Sequence, residues 1–111
     1  MHLIKFISKF NYVNGRRHGE CIKYENGSIF ERRNYVNGRR HGECIEYYES
    51  SIWHECNYVN DQLQRKIIYN PDGSIYSRYN YRMNKKHGEC IKYYFDGSIR
   101  EKCNFVNGFK I

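Results

Sequence analysis

One segment is written out three times in this chain. Residues 11–23 read NYVNGRRHGECIK, residues 34–45 read NYVNGRRHGECI, and residues 80–92 read NYRMNKKHGECIK. The leading asparagines, Asn11, Asn34, Asn57, Asn80 and Asn104, are spaced 23, 23, 23 and 24 residues apart. The copy that starts at Asn57 has lost its His-Gly-Glu-Cys segment. Self-similarity at this period marks stacked supersecondary units, each too small to bury a core alone. The chain divides into a half-repeat 1–10, repeats 11–33, 34–56, 57–79 and 80–103, and a half-repeat 104–111. Together they make one domain of ordinary size.

Each unit carries two turn signals. The first is Asn14-Gly15, Asn37-Gly38, Asn60-Asp61, Met83-Asn84 and Asn107-Gly108. Asn-Gly suits a type I′ hairpin turn, which needs positive φ at both central positions. The second is Asn26-Gly27, Ser50-Ser51, Asp72-Gly73 and Asp96-Gly97. Between turns lie runs of about seven to nine residues rich in Tyr, Ile, Val and Phe, which read as strands. The fold class is therefore all-β: an elongated single antiparallel meander of roughly ten strands, about 45 Å long at strand spacing. With 12 Tyr and 6 Phe, the apolar content is mostly amphipathic ring rather than aliphatic core. That favours a thin, twisted or curled sheet over a thick globule.

Charge suggests a register. Closing the second hairpin with Tyr48 opposite Ile52 sets Glu46 opposite His54 and Cys44 opposite Cys56. The same rule sets Lys23 opposite Glu31, Lys92 opposite Glu101, Cys90 opposite Cys103, and Cys21 opposite Arg33. Such cross-strand pairs contribute about 0.2–1 kcal/mol each. The first hairpin then sets Arg32 opposite Glu43, Phe30 opposite Ile45, and Gly42 opposite Arg33 and diagonal to Tyr35. A Tyr ring over that glycine would cover exposed backbone, with Tyr12 and Gly19, and Tyr81 and Gly88, repeating the arrangement.

Strand alternation sorts the side chains into two faces. One carries Ile29, Tyr35, Cys44, Tyr48, Ile52, Cys56 and Tyr58. The other carries Ile22, Tyr24, Phe30, Ile45, Tyr47, Trp53 and Val59, mixed with Arg32, Glu43 and Glu55. Phe30, Tyr47, Trp53 and Tyr76 form the candidate partner-binding aromatic face, with Trp53 as its anchor. Arg16, Arg17, Arg39, Arg40, Lys85 and Lys86 follow the first turns and form a basic ridge along one edge of the sheet. The ridge reads either as an anion-binding site or as a charged guard against aggregation.

The net charge of +7 fits an anionic partner or a solvated basic surface. Lys5 and Lys9 interrupt the apolar N-terminus, and no small-residue cleavage site follows, so it does not read as a signal peptide. No apolar run approaches the ~20 residues of a membrane helix. Five cysteines fit a reducing compartment, and the expectation is a cytoplasmic protein. The pairs Cys44–Cys56 and Cys90–Cys103 face each other closely enough for disulfides, though packed thiols suit the compartment better. His-Gly-Glu-Cys invites a metal or a Cys–His dyad. His41 and Cys44 are three apart on a strand, however, and point to opposite faces, while successive copies lie about 9–10 Å apart. No metal, cofactor or small-molecule substrate is expected. No phosphate loop, nucleophile elbow or carboxylate pair appears, and the chain does not read as an enzyme.

The run GSIFERRNYVNGRRHGECIEYY, from Gly27 to Tyr48, resembles the membrane-occupation-and-recognition-nexus (MORN) repeat, in the variant of bacterial antitoxin-like proteins. The match runs from about Phe10 to Lys110. The variant often has Trp where this chain has Cys21, Cys44 and Cys90, and Gly where it has Arg33, Cys56, Tyr79 and Cys103. The resemblance implies scaffolding, protein–protein contact, self-association or membrane-proximal attachment, or an antitoxin-like inhibitor, and no catalysis. The richness in Asn, Ile, Tyr and Lys also resembles repeat proteins of giant DNA viruses of amoebae. That likeness implies a virion or capsid-associated component, located in host cytoplasm or virion. An acidic lipid or nucleic acid on the basic ridge is the alternative partner.

Overall fold

The computed structural model describes residues 6–111; Met1 to Lys5, and with them half of the expected half-repeat 1–10, lie outside it. The strands are β1 (Phe6–Lys9), β2 (Tyr12–Val13), β3 (Arg16–Arg17), β4 (Gly19–Glu25), β5 (Ser28–Val36) and β6 (Arg39–Tyr48). They continue as β7 (Ser51–Val59), β8 (Gln62–Tyr69), β9 (Ile75–Arg82), β10 (Lys85–Tyr93), β11 (Ile99–Val106) and β12 (Phe109–Lys110). Ten of them form one antiparallel sheet in the order β1-β4-β5-β6-β7-β8-β9-β10-β11-β12, and β2–β3 pair separately. The order is open, so the sheet does not close into a barrel. Its extents are 42 × 37 × 22 Å, thicker than a flat sheet, as the native twist requires.

The turns supply positive φ where a type I′ hairpin needs it. Asn37 and Gly38 have φ of 50° and 80°, and even Met83 and Asn84 take 51° and 61°. In the second repeat the second turn falls on Glu49-Ser50, φ 49° and 68°, one residue before the expected Ser50-Ser51. Tyr48 consequently pairs with Ser51, and Ile52 with Tyr47 rather than Tyr48, after a bulge between Glu46 and Tyr47. The rest of that register is as expected: Glu46 opposite His54, Cys44 opposite Cys56, Lys23 opposite Glu31, Lys92 opposite Glu101 and Cys90 opposite Cys103.

The first hairpins differ from expectation in one systematic way. Tyr35 pairs with Arg40, but Arg33 pairs with Cys44, so Asn34 alone opposes His41, Gly42 and Glu43. The expected pairs Arg32–Glu43, Phe30–Ile45 and Arg33–Gly42 are thereby replaced by Arg32–Ile45 and Arg33–Cys44. The bulge exists because Gly42 takes φ 89°, a backbone conformation that only glycine adopts freely. The Asn34 side chain closes it, its Nδ2 donating to the Glu43 carbonyl at 3.1 Å. Asn11 and Asn80 do the same to Glu20 and Glu89, at 3.3 and 3.2 Å. A Cβ on Gly42 would meet Asn34, not a tyrosine ring. The aromatic partners of Gly19, Gly42 and Gly88 come from the following strand: Tyr35, Tyr58 and Phe105.

All five cysteines fall in one row across the sheet: Cys21, Arg33, Cys44, Cys56, Lys66, Tyr79, Cys90 and Cys103, each opposite the next. Cys21, Cys44, Cys90 and Cys103 are buried, and all five thiols are free. Beside them Glu31 is buried and held by Lys23 and Arg33. The other face carries a second row: Lys9, Ile22, Arg32, Ile45, Glu55, Ile67, Arg78, Ile91 and Lys102. Isoleucine alternates with a charge across nine strands, because like strands recur every second position.

Candidate functional site

The first turns stack on one another. Gly38 donates its backbone N–H to the Arg17 carbonyl at 2.8 Å, Asp61 to Arg40 at 2.9 Å, and Gly108 to Lys86 at 2.8 Å. His41 and His87 join the same scaffold, each accepting at Nδ1 from the backbone of Asn60 or Asn107. Among the described residues no three His, Cys, Asp or Glu side chains gather as metal ligands would.

This stacking divides the basic pairs. Arg17 lies over the Phe10 ring at 4.3 Å, Arg40 over Tyr58 at 4.5 Å, and Lys86 over Tyr79 at 4.2 Å. Arg40 also pairs with Asp61, which accepts from the Arg40 backbone N–H at 2.7 Å. These hydrogen bonds hold the Asp61 carboxyl below its usual range. Arg16, Arg39 and Lys85 are exposed, as Arg17 is, and among the described residues lie over no ring. Arg16 and Lys85 lie beside the glycines of the next turns, Gly38 and Gly108. Half of the sequence-derived ridge therefore secures the sheet, and the other half faces outward.

At the opposite end, a groove of about 620 Å³ opens between the second turn of repeat 34–56 and the next one along the sheet. Its lining includes Tyr48, Glu49, Ile52, Trp53, Tyr69 and Pro71. Tyr48 and Trp53 are 66% and 48% exposed, with ring centroids 6.5 Å apart. The sequence reading placed those two rings on opposite faces. The Glu46–Tyr47 bulge and the early turn bring them together. Trp53 stacks on His54 at 4.0 Å. Burial, then Lys66, lowers the His54 pKa against the pull of Glu46 3.6 Å away.

Of the expected aromatic face, only Trp53 lines this groove. Phe30 and Tyr47 are half-buried on β5 and β6, and Tyr76 is exposed on β9 with Arg100 6.0 Å over its ring. Tyr48, Ile52, Tyr69 and Pro71 were not among the residues singled out for it. The lone proline, Pro71, two residues after Tyr69, was the available signal.

A family profile described as the MORN repeat variant matches residues 40–60 and 86–107, and one described as the MORN repeat matches residues 11–29. The chain belongs to the MORN-repeat family. The segments matched hold the turns at Asn14-Gly15 and Asn26-Gly27, the ring-covered cations Arg17, Arg40 and Lys86, and the Glu49–Trp53 side of the groove. MORN repeats in general bind proteins or membrane lipid. Neither the curated proteins nor the solved structures return a match to this MORN chain.

Proposed function

We propose that this MORN sheet is a non-enzymatic scaffolding module that docks a protein partner through the groove around Trp53. The observation that carries this reading is the exposed pair Tyr48 and Trp53 beside Ile52, Tyr69 and Pro71 in one concave site. Clustered aromatics in a recess are what protein interfaces use as anchors. The rest of the sheet spends its polar groups on the turns and bulges that hold the repeats together, which supports a structural role over a catalytic one. The test is a pull-down from native material with the wild-type chain and Trp53→Ala, read by mass spectrometry. Loss of the recovered partner is expected; an unchanged set removes the reading.

The exposed Arg16, Arg39 and Lys85 favour a second reading, an acidic lipid or nucleic acid bound along the first turns. Retention on heparin or anionic vesicles should then fall steeply with salt. It should also drop when the three are changed to Ala. Retention that ignores both removes this reading.

A further inference from the structure

The row of isoleucines and charges has one odd member. Its charged positions are Lys9, Arg32, Glu55, Arg78 and Lys102, so a carboxylate replaces a cation only on β7. The position has a visible job. Lys9 lies 5.6 Å over the ring of Tyr24, and Arg78 lies 5.8 Å over the ring of Tyr93. Each cation sits diagonal to a tyrosine on the next long strand. At the equivalent place, Glu55 instead accepts a 2.5 Å hydrogen bond from the Tyr69 hydroxyl.

That exchange happens beside the groove, on a tyrosine that lines it. Tyr69 lines it, with Tyr48 and Trp53, and among the described residues no cation lies over any of the three rings. Glu49 stands on the groove wall and Asp72 on the wall of the adjoining recess. Among the described residues neither Glu49 nor Glu55 makes an ion pair. Glu55 uses only Oε2 on Tyr69, and Oε1 has no hydrogen-bond partner among the described residues. A chain of net charge +7 therefore carries, at and beside an aromatic recess, carboxylates with no ion-pair partner among the described residues; Arg78 and Arg65 act on Tyr69 only at longer range.

We propose that the groove holds a lysine or arginine side chain from a basic segment of a protein partner. The incoming cation takes the place that Lys9 and Arg78 fill elsewhere in the sheet. It stacks against Trp53 and Tyr48 and is neutralised by Glu55 and Glu49. Cation–π contact is strongest over tryptophan and grows with desolvation, and a recess supplies both. This inference rests on the docking reading above and names the chemistry of the docked segment.

Trp53 is the only tryptophan, so its fluorescence reports on the groove alone. Titrating the full chain with a poly-arginine peptide should shift Trp53 emission along a saturable curve. A poly-glutamate peptide, which has the basic ridge to bind, should leave the emission unchanged. Glu55→Arg installs the cation that β9 already carries at this position and should weaken poly-arginine binding by about tenfold. Glu55→Gln should weaken it less and keeps the test open should the arginine variant not fold. No wild-type response, an equal response to poly-glutamate, or unchanged binding in the Glu55 variant that folds overturns the inference. If the peptide fails while Trp53→Ala still loses its native partner, docking stands and the cationic occupant falls.

Discussion

Cys103 lies directly opposite Cys90 across β11 and β10, with its Sγ 3.9 Å from the Cys90 carbonyl oxygen. The pair is packed as two thiols, and burial, with the neighbouring Cys103, pushes the Cys90 thiol up to about 11. Against an ordinary thiol of 9.0, that cuts its thiolate fraction about a hundredfold near pH 8. Alkylation of the native chain should therefore label Cys90 and Cys44, whose thiol is also pushed up to about 11, far more slowly than alkylation in urea. Peptide mapping after timed labelling reads this out. Labelling of native Cys90 at the rate of the unfolded chain would contradict the packing.

The bulge glycines should be costly to replace for a backbone reason. Gly88 has φ 84°, and a Cβ built there would touch Asn80 at an ordinary 3.9 Å. Space is available, so strain alone sets the effect. Gly88→Ala should cost about 1–2 kcal/mol in urea unfolding, and Gly88→Asn less, since Asn tolerates positive φ. Equal costs would show that the bulge rearranges instead.

Adjacent arginines should behave differently. Arg40→Ala removes a cation stacked 4.5 Å over Tyr58 and a pair with Asp61. It should cost about 0.5–1 kcal/mol for the stacking. Arg39→Ala, on the exposed side, should stay within about 0.5 kcal/mol of wild type. Thermal unfolding of the two variants makes the comparison.

Asp61 gives the sheet an acid-sensitive joint. The backbone N–H of Arg40, then its side chain, lower the Asp61 pKa from 3.8. A depressed carboxylate stabilises the folded state above its unfolded pKa, and that contribution is lost as pH falls through the folded value. The melting-temperature gap between wild type and Asp61→Asn should thus be largest near neutral pH. It should close in strong acid, and it should shrink with salt because the pair is only part-buried. A gap that widens on acidification would be the wrong sign.

Strands, first turns and the long hairpin register were legible in the sequence because each rests on local chemistry. Asn-Gly fixes the turn, and Lys23–Glu31 and Lys92–Glu101 fix the pairing. The bulges were not, because His41-Gly42-Glu43 reads as strand until one knows that Asn34 can bridge it. Two residues of slippage then misplaced Arg32 and Phe30. The groove was hidden for a related reason. Alternation assigned Tyr48 and Trp53 to opposite faces, and a one-residue bulge next to a turn breaks alternation. Glu55 was visible all along: Lys9, Arg32, Glu55, Arg78 and Lys102 each stand two places before a repeat's leading asparagine. Its significance needed the cross-strand row, which no single repeat contains.

The cysteine row crosses the sheet because about one repeat returns the chain to the same column: 23 residues from Cys21 to Cys44 and from Arg33 through Cys56 to Tyr79, with Lys66 falling 22 after Cys44 and 24 before Cys90. A block of that length could be duplicated or excised and the flanking strands would rejoin with every column intact. The single extra residue in the last spacing is absorbed by a longer loop, where Tyr94 and Ser98 close around Asp96-Gly97. A lone insertion within a strand away from the bulges has no such outlet and would turn each later side chain to the wrong surface. Growth of this architecture is therefore quantised: whole modules are heritable, fractions are tolerated only at the bends and the bulges.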